Sequence, residues 1–305
     1  MKKIASLLAA VMLLTATLAG CGNSGSGSST TDTSSASSTA SQSSAAEDSS
    51  AAEGETSSEA SATEAGDYGE FTTIEEGKLI MATNAQFPPY ELVSDGEGFN
   101  GTGFEGIDVE IASAIADKLG LELQIDDMEF DSALLAVQNN TADVMLAGLS
   151  YSEERDEVVD FTDSYATGVQ VVIVKEGSDV TMDNLGEKMI GTQRGTTGYI
   201  YASDTPENGG YGEDHVSAYD NGATAVQALV NGQVDAVIID EAPAKEYVAA
   251  NDGLTILPGN WVEEQYCAAV NEGNTELLNA INTALNELMD DGTVQEILDK
   301  YITAE

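Results

Sequence analysis

The sequence predicts an α/β fold with mostly parallel β-sheet, divided into two lobes. From residue 78 onward, short apolar strands alternate with amphipathic helices, an order typical of parallel sheets. The alternation runs twice, and each half contains a helix end, a polar turn and an aspartate that leads a buried strand, at Asp143 and at Asp235. The roughly 235 residues of this region are enough for two medium-sized compact units.

Each predicted element follows from its own hydrophobic period. Apolar residues at every fourth position of 107–119, followed by Gly120, predict a helix, whereas the apolar run 78–83 and the alternating run 121–125 predict strands. In chain order, the predicted strands are residues 78–83, 121–125, 143–147, 169–174, 188–192, 234–239 and 266–270. The predicted helices are residues 107–119, 131–139, 196–202, 223–230, 241–250, 275–289 and 293–301.

The N-terminus has the pattern of a secretory signal. Lys2 and Lys3 precede an apolar stretch over residues 4–18, which ends at small residues just before Cys21. The stretch is shorter than the roughly 20 residues that a transmembrane helix needs. A cysteine at this place resembles the bacterial lipobox, which implies a signal peptide at 1–20 and a lipid on Cys21 that anchors the chain to the cell membrane, outside the cytoplasm. Ordinary cleavage without a lipid is the alternative.

Residues 21–66 combine the lipidated cysteine with a linker of Ser, Thr, Ala, Gly and acidic residues. Since this segment has no aromatic or large aliphatic side chain, it cannot bury enough surface to offset chain entropy, and we expect it to be disordered. The whole chain has 54 acidic and 10 basic residues, a formal net charge of −44. Such a surface repels nucleic acid and anionic lipid headgroups, so we expect membrane attachment through the lipid alone and no nucleic-acid partner.

Cysteine and histidine usage excludes several kinds of site. The mature chain has two cysteines at most, Cys21 and Cys267, and the lipid would occupy the first, so we expect no intramolecular disulfide. Cys267 lies in an apolar run that reads as a buried strand. His215 is the single histidine of the sequence, so we expect no zinc site, no His-based catalytic triad and no cofactor.

Arginine usage points to a binding site for a small carboxylate. The sequence has two arginines, and Arg155 follows a strand end, a glycine and two hydroxyl residues. A guanidinium grips a carboxylate with two parallel hydrogen bonds, which lysine does not. If Ser152 caps the next helix, Arg155 falls at its third position, where the helix dipole favours an anion. The alternative is that Arg155 offsets Glu153 and Glu154 on a solvated helix.

Several motifs then occur in one order over residues 77–301: ATNAQFPPY (82–90), GIDVEIA (106–112), AGLSYSEER (147–155), VDFTDSY (159–165) and RGTTG (194–198). Together they resemble the solute-binding proteins of polar amino-acid ABC transporters, of the glutamine- and histidine-binding class. The resemblance implies the two-lobed type 2 periplasmic-binding fold. It also implies that the protein captures a free polar amino acid, without catalysis, and delivers it to a membrane permease. We expect it to act as a monomer.

The resemblance also assigns the lobes and their hinge. Lobe 1 would comprise residues 67–165 plus 266–305, and lobe 2 residues 166–265. Two crossings, near 165–169 and 262–266, would join them and allow the closing motion typical of binding proteins.

The resemblance assigns roles to residues just beyond the predicted strands, where ligands bind in such sheets. It implies that Arg155 holds the ligand α-carboxylate with the N–H of Thr197. Asp240 would accept the α-ammonium together with the Gly148 carbonyl and the Ser150 hydroxyl. From the residues alone, Thr197 is also explained as an ordinary helix cap, and so is Asp240.

Four further residues complete the predicted site. By resemblance, Phe87 and Phe130 are the aromatic walls against the carbon skeleton of the ligand, although aromatics at strand ends also serve as core. Asn84 stands where binders of basic amino acids tend to carry aspartate, and an amide cannot neutralise a cationic side chain, which favours a neutral polar ligand. Gln193 would add an amide contact. Arg194 faces either the ligand side chain or the solvent.

Two other classes of function remain open from the sequence. The same fold hosts periplasmic dehydratases that act on cyclic carboxylates, and Arg155 would suit such a substrate; turnover of prephenate-like acids would favour this class. The other class is a structural or adhesive lipoprotein, which would show no thermal shift with any small molecule.

Overall fold

The structure, a computed structural model, describes residues 66–302, and the predicted signal peptide, Cys21 and nearly all of the linker lie outside them. The strands are β1 (Lys78–Thr83), β2 (Gln86–Phe87), β3 (Glu91–Val93), β4 (Phe104–Glu105), β5 (Glu122–Asp127), β6 (Val144–Met145), β7 (Val159–Lys175), β8 (Ile190–Gln193), β9 (Val216–Tyr219), β10 (Ala236–Asp240), β11 (Leu254–Ile256) and β12 (Val262–Asn271). The helices are α1 (Ile107–Leu119), α2 (Phe130–Gln138), α3 (Glu153–Asp156), α4 (Thr197–Ser203), α5 (Gly222–Val230), α6 (Glu241–Ala250), α7 (Thr275–Asp290) and α8 (Thr293–Tyr301).

Two sets of parallel strands lie on either side of an antiparallel pair. On one side β1 pairs in parallel with β5 and β6, and on the other β8 pairs in parallel with β9 and β10. Strands β12 and β7 lie between the two sets, so the full order is β5-β1-β6-β12-β7-β10-β8-β9, with β11 on β7. This architecture confirms the predicted two-lobed α/β fold. We call the side with β1 lobe 1 and the side with β8 lobe 2.

The two predicted crossings face each other in one antiparallel ribbon. Strand β7 has 17 residues and β12 has 10. Their ladder runs from the pair Val262 and Gln170 to the pair Asn271 and Val159. The register shifts on both sides of Cys267, which marks an irregularity where the ribbon passes into lobe 1. Two adjacent strands are therefore the main-chain connections between the lobes.

Burial explains why the parallel strands read as continuous apolar runs. In β1, Leu79 and Met81 pack into one hydrophobic cluster, whereas Ile80 and Ala82 pack into another. Successive side chains of a strand point to opposite faces, so both faces of this part of the sheet are covered. Cys267 is buried in β12, as predicted, and burial raises the pKa of its thiol to about 11.

The predicted helices and parallel strands are present, with ends that differ by one or two residues. The sequence did not predict β9, β11, the first ten residues of β7, or the small antiparallel sheet β2-β3-β4. Strands β2, β3 and β4 have two or three residues each, which is too short for a period to be recognised. Within residues 66–302, no helix combines the length and the hydrophobicity required to cross a membrane.

Candidate functional site

A cleft lies at the strand ends between the lobes, and all nine predicted ligand-binding residues line it. Lobe 1 contributes Asn84, Phe87, Phe130, Gly148, Ser150 and Arg155, and lobe 2 contributes Gln193, Thr197 and Asp240. The cleft is also lined by three residues that were not predicted: Glu91, Ala147 and Thr196.

Arg155 is buried at the start of α3, with 5% of its surface exposed. Ser152 caps this helix, because its hydroxyl accepts a hydrogen bond from the Arg155 N–H at 3.2 Å, as the sequence predicted. The guanidinium donates to the carbonyls of Ser150 (2.6 Å) and Gly195 (2.9 Å) and lies 5.4 Å from the ring centroid of Phe130. Burial lowers the pKa of Arg155, against the charge of Glu264. A solvated arginine is therefore the wrong interpretation.

Asp240 ends β10, and its carboxylate does not cap α6. Instead it accepts hydrogen bonds from the Gln170 amide at 2.8 Å and from the Tyr266 hydroxyl. Both donors belong to the ribbon between the lobes. Burial raises the pKa of Asp240 to about 7, although these two hydrogen bonds act in the opposite direction. Asp240 occupies the N-cap position of α6, but its carboxylate binds the ribbon instead of capping the helix, and its pKa of about 7 lies near neutral pH.

Glu264 connects hydroxyl groups of both lobes and was missed by the sequence analysis. One of its carboxylate oxygens accepts hydrogen bonds from Ser150 (3.0 Å), Thr197 (2.9 Å) and Gln170 (3.1 Å). The residue lies inside the predicted crossing 262–266. Only the pairing of β12 with β7 places it beside these groups, so no local signal in the sequence indicated it.

Thr197 is the first residue of α4, so its backbone N–H has no partner within the helix. The helix is capped by the residue before it. The Thr196 hydroxyl accepts from the Tyr199 N–H at 3.4 Å, whereas the Thr197 hydroxyl donates to Glu264. Thr196, and not Thr197, is the N-cap residue. The explanation of Thr197 as an ordinary cap is therefore wrong.

Asn84 and Gln193 bind each other across the cleft. The Gln193 amide donates to the Asn84 side-chain oxygen at 2.9 Å, and the Asn84 amide donates to the Met128 carbonyl at 2.9 Å. Both side chains are buried. This pair is a direct polar connection between the lobes.

Gly148 occupies a place where a side chain does not fit. Its φ is 52°, and an added Cβ would lie 2.6 Å from the ring of Phe87. Its N–H donates to Asp108 at 2.7 Å, and that carboxylate also accepts from the Tyr165 hydroxyl. Burial raises the pKa of Asp108 to about 6, against these hydrogen bonds. The glycine thus leaves room for the ring of Phe87 beside the cleft.

The aromatic walls have two roles. Phe87 and Phe130 both line the cleft and belong to the hydrophobic core of lobe 1. Phe87 stacks on Tyr90 with 5.8 Å between ring centroids. Arg194 is exposed, does not line the cleft, and donates to the Ala218 carbonyl at 3.5 Å. Arg194 therefore faces the solvent, which is one of the two predicted orientations.

Comparison with known proteins identifies the family. Residues 79–304 match the family described as bacterial extracellular solute-binding proteins, family 3. The chain belongs to this family. The arginine-binding extracellular protein ArtP of Bacillus subtilis is 33% identical over 232 residues, which are 75% of this chain and 87% of ArtP. The L-cystine-binding protein TcyJ of Escherichia coli is 30% identical over 235 residues, 76% of this chain and 85% of TcyJ.

Solved structures of solute-binding proteins share the fold. The crystal structures of the arginine-, lysine-, histidine-binding protein ArtJ from Geobacillus stearothermophilus superpose with a TM-score of 0.67 and 30% sequence identity. The match covers 75% of this family 3 protein and 96% of ArtJ. Matches of this extent confirm the two-lobed fold of amino-acid-binding proteins.

Proposed function

We propose that this protein captures a polar amino acid between its two lobes and delivers it to the permease of an ABC importer. The observation that carries the proposal is the presence of two buried opposite charges, Arg155 and Asp240, in one cleft. An amino acid has a carboxylate and an ammonium on the same carbon, so two fixed charges of opposite sign recognise both ends of that unit.

Each polar group of the ligand backbone has a partner in the cleft. Arg155 and the N–H of Thr197 bind the α-carboxylate. Asp240, the Gly148 carbonyl and the Ser150 hydroxyl accept the α-ammonium. Phe87 and Phe130 enclose the carbon skeleton, and Asn84 and Gln193 add amide contacts. A ligand without the ammonium gains no charge pair with Asp240, so we expect simple carboxylic acids to bind more weakly than amino acids.

Closure of the lobes completes the site. The guanidinium of Arg155 in lobe 1 reaches the Gly195 carbonyl of lobe 2, and Asn84 pairs with Gln193. Rotation of residues 67–165 and 266–305 against residues 166–265 about the β7 and β12 ribbon would open these contacts and admit the ligand.

The relatives support the amino-acid class but differ in the side chain that they recognise. ArtP is named for arginine, ArtJ for arginine, lysine and histidine, and TcyJ for cystine. The ligands in these names share the amino-acid backbone, whereas their side chains differ in charge. The relatives therefore support an amino acid as the ligand, and they do not indicate its side chain.

The decisive experiment is calorimetric titration of the purified mature chain with each of the twenty amino acids. We expect one or a few of them to bind with 1:1 stoichiometry and to be recovered unchanged, since the protein is proposed to be a receptor without catalysis. Absence of binding to any amino acid, or turnover of a prephenate-like acid, would overturn the proposal.

The anchor is the second part of the proposal. A lipid on Cys21 holds the folded body outside the cytoplasm, and the protein acts there as a monomer. Metabolic labelling with an alkyne-tagged fatty acid tests this proposal. We expect label on the wild type and none on Cys21→Ser, and light scattering should give the mass of one chain. A labelled variant would contradict the assignment of Cys21.

A further inference from the structure

Glu264 is a buried carboxylate next to the cleft, with 7% of its surface exposed. It is not among the described residues that line the cleft, whereas Ser150 and Thr197 are. One of its oxygens accepts hydrogen bonds from the Ser150 hydroxyl at 3.0 Å and from the Thr197 hydroxyl at 2.9 Å. Ser150 belongs to lobe 1 and Thr197 to lobe 2, so a single oxygen of the ribbon binds a hydroxyl from each lobe.

The main chain holds Ser150 beside Glu264. An isolated β-bridge pairs Ser150 with Tyr266 of β12, and the Tyr151 N–H donates to the Gln265 carbonyl at 2.9 Å. Glu264 is two residues from Tyr266 on the same strand, so both side chains point to the same face. The contact between Ser150 and Glu264 is therefore fixed by backbone pairing.

The other contacts of Glu264 show that its oxygen acts as an acceptor. The Gln170 amide, which can only donate, binds the same oxygen at 3.1 Å. Burial lowers the pKa of the Arg155 guanidinium, and the charge of Glu264 raises it, so the two opposite charges lie near each other. Since a glutamate carboxylate has no proton to donate at neutral pH, the hydroxyl groups are the donors in their contacts with Glu264.

This arrangement decides what the Ser150 hydroxyl can offer to a ligand. A hydroxyl group has one proton and two lone pairs. Because the proton of Ser150 is donated to Glu264, only the lone pairs remain for a ligand, so Ser150 accepts a hydrogen bond and cannot donate one. A hydrogen bond donated to a carboxylate also polarises the hydroxyl, which makes its oxygen a better acceptor.

We propose that Glu264 is a positioning residue that fixes the Ser150 hydroxyl as an acceptor, so that the cleft favours an α-ammonium over an α-hydroxyl group. The inference rests on the proposed function, in which Asp240, the Gly148 carbonyl and the Ser150 hydroxyl receive the α-ammonium. An ammonium has three N–H donors for these three acceptors. An α-hydroxyl group has one proton, so two of the acceptors then face its lone pairs.

The test compares each amino acid that binds in the calorimetric titration with the 2-hydroxy acid of the same side chain, such as L-arginine with L-argininic acid. At pH 8, Asp240, whose pKa is about 7, is mostly ionised before either ligand binds. We expect the wild type to prefer the amino acid at least about 100-fold, because a charge pair with Asp240 is also lost with the hydroxy acid. Competition against the amino acid measures the weaker affinity.

Glu264→Met has nearly the same shape as the wild type but no acceptor, so it releases the Ser150 proton. That proton can then be donated to the oxygen of an α-hydroxyl group, and the preference for the amino acid should fall about 10-fold, the size of one hydrogen bond. Thr197 also releases its proton, but toward the carboxylate that both ligands share. An unchanged preference in Glu264→Met would overturn the inference while leaving amino-acid binding intact.

Two further variants separate orientation of the hydroxyl from packing. In Glu264→Gln, three donors select the amide oxygen over the amide NH2 at this place, so the preference should stay within about 3-fold of the wild type. Glu263→Met, at the exposed neighbour in β12, is the matched control and should keep the wild-type preference. In a Ser150→Ala background, Glu264→Met should leave the preference unchanged, because no Ser150 proton remains to be released. A fall in that background would show that Glu264 acts through packing, against the inference.

Ser150→Ala alone provides a measurement that leaves Glu264 in place. It removes one acceptor of the ammonium, so the amino acid should bind about 10-fold more weakly, whereas the 2-hydroxy acid should bind nearly as before. Equal losses for the two ligands would show that Ser150 donates to the ligand and would contradict the role of Glu264. Failure to bind any amino acid would instead overturn the proposed function.

Discussion

Arg155 and Asp240 lie on opposite sides of one cleft, but the protein surrounds them with different partners. Arg155 contacts two backbone carbonyls and the face of Phe130. Asp240 receives hydrogen bonds from the side chains of Tyr266 and Gln170. The carbonyl oxygens are acceptors that stabilise a cation, and the hydroxyl and amide are neutral donors that stabilise an anion.

The difference lies in what happens to each charge near neutral pH. Burial lowers the pKa of Arg155, but a guanidinium starts so high that it remains charged. Burial raises the pKa of Asp240 to about 7, so a fraction of these carboxyl groups carries a proton at pH 7. The lobe 1 end of the ligand site therefore has a permanent charge, whereas the lobe 2 end acquires its full charge only when an ammonium binds.

The largest expected effect comes from removing the permanent charge. Arg155→Ala should weaken amino-acid binding about 1,000-fold or more, because the ligand carboxylate is then buried without its partner. Calorimetry measures the loss, and circular dichroism checks that the fold is retained. Arg194→Ala, which changes the other arginine of the chain, is the matched control and should bind like the wild type. Unchanged affinity in Arg155→Ala would remove the carboxylate assignment.

The second effect should be smaller, because Asp240 is partly protonated in the wild type. Asp240→Asn retains an acceptor for Tyr266 and Gln170 but loses the counter-charge of the ammonium. We expect a loss of about 100-fold in affinity at pH 7.5, again by calorimetry. Glu241→Gln changes the next residue and should have little effect. If Asp240→Asn binds as well as the wild type, the ammonium lies elsewhere.

Acid should weaken binding through Asp240. Below pH 7 the carboxyl group of Asp240 carries a proton, and the ammonium must displace it, so affinity falls as the pH falls through about 7. The pKa of about 7 corresponds to a loss of roughly 20-fold between pH 7.5 and pH 5.5. The profile of Asp240→Asn should be flatter by this amount. Parallel profiles for the two proteins would show that another group titrates.

The predicted site residues that line the cleft share a local origin. Arg155, Thr197 and Asp240 each follow a strand that is recognisable from its apolar run, and the carboxyl ends of such strands meet at one place in a parallel sheet. The cap by Ser152 was also predictable, because capping involves residues only three positions apart. Local pattern and fold class are enough to find these residues.

The residues that were missed depend on contacts between distant segments. Glu264 reaches the hydroxyl groups of Ser150 and Thr197 because β12 pairs with β7, a register that no local period reveals. Glu91 belongs to a strand of three residues, and its place in the wall of the cleft is visible only when all its neighbours are placed. The sequence has 54 acidic residues, and no local pattern distinguishes Glu264 or Glu91 from the others.

The smallest effect should come from a contact that joins the lobes without touching the ligand. The Tyr247 hydroxyl on α6 of lobe 2 donates to the Gln86 carbonyl of lobe 1 at 2.9 Å, and neither residue lines the cleft. Tyr247→Phe removes this bond from the closed form alone. Since a hydrogen bond contributes about 0.5–1.5 kcal/mol, affinity should fall by roughly 2- to 10-fold.

The kinetics of Tyr247→Phe separate a contact between the lobes from a contact with the ligand. If the hydroxyl acts by holding the lobes together, dissociation should accelerate by the same factor for each amino acid that binds, as measured by stopped-flow fluorescence. The ratio between the affinities of any two of these amino acids should stay at the wild-type value, because Tyr247 does not line the cleft. A ratio that changes in Tyr247→Phe would place Tyr247 in recognition of the side chain rather than in closure.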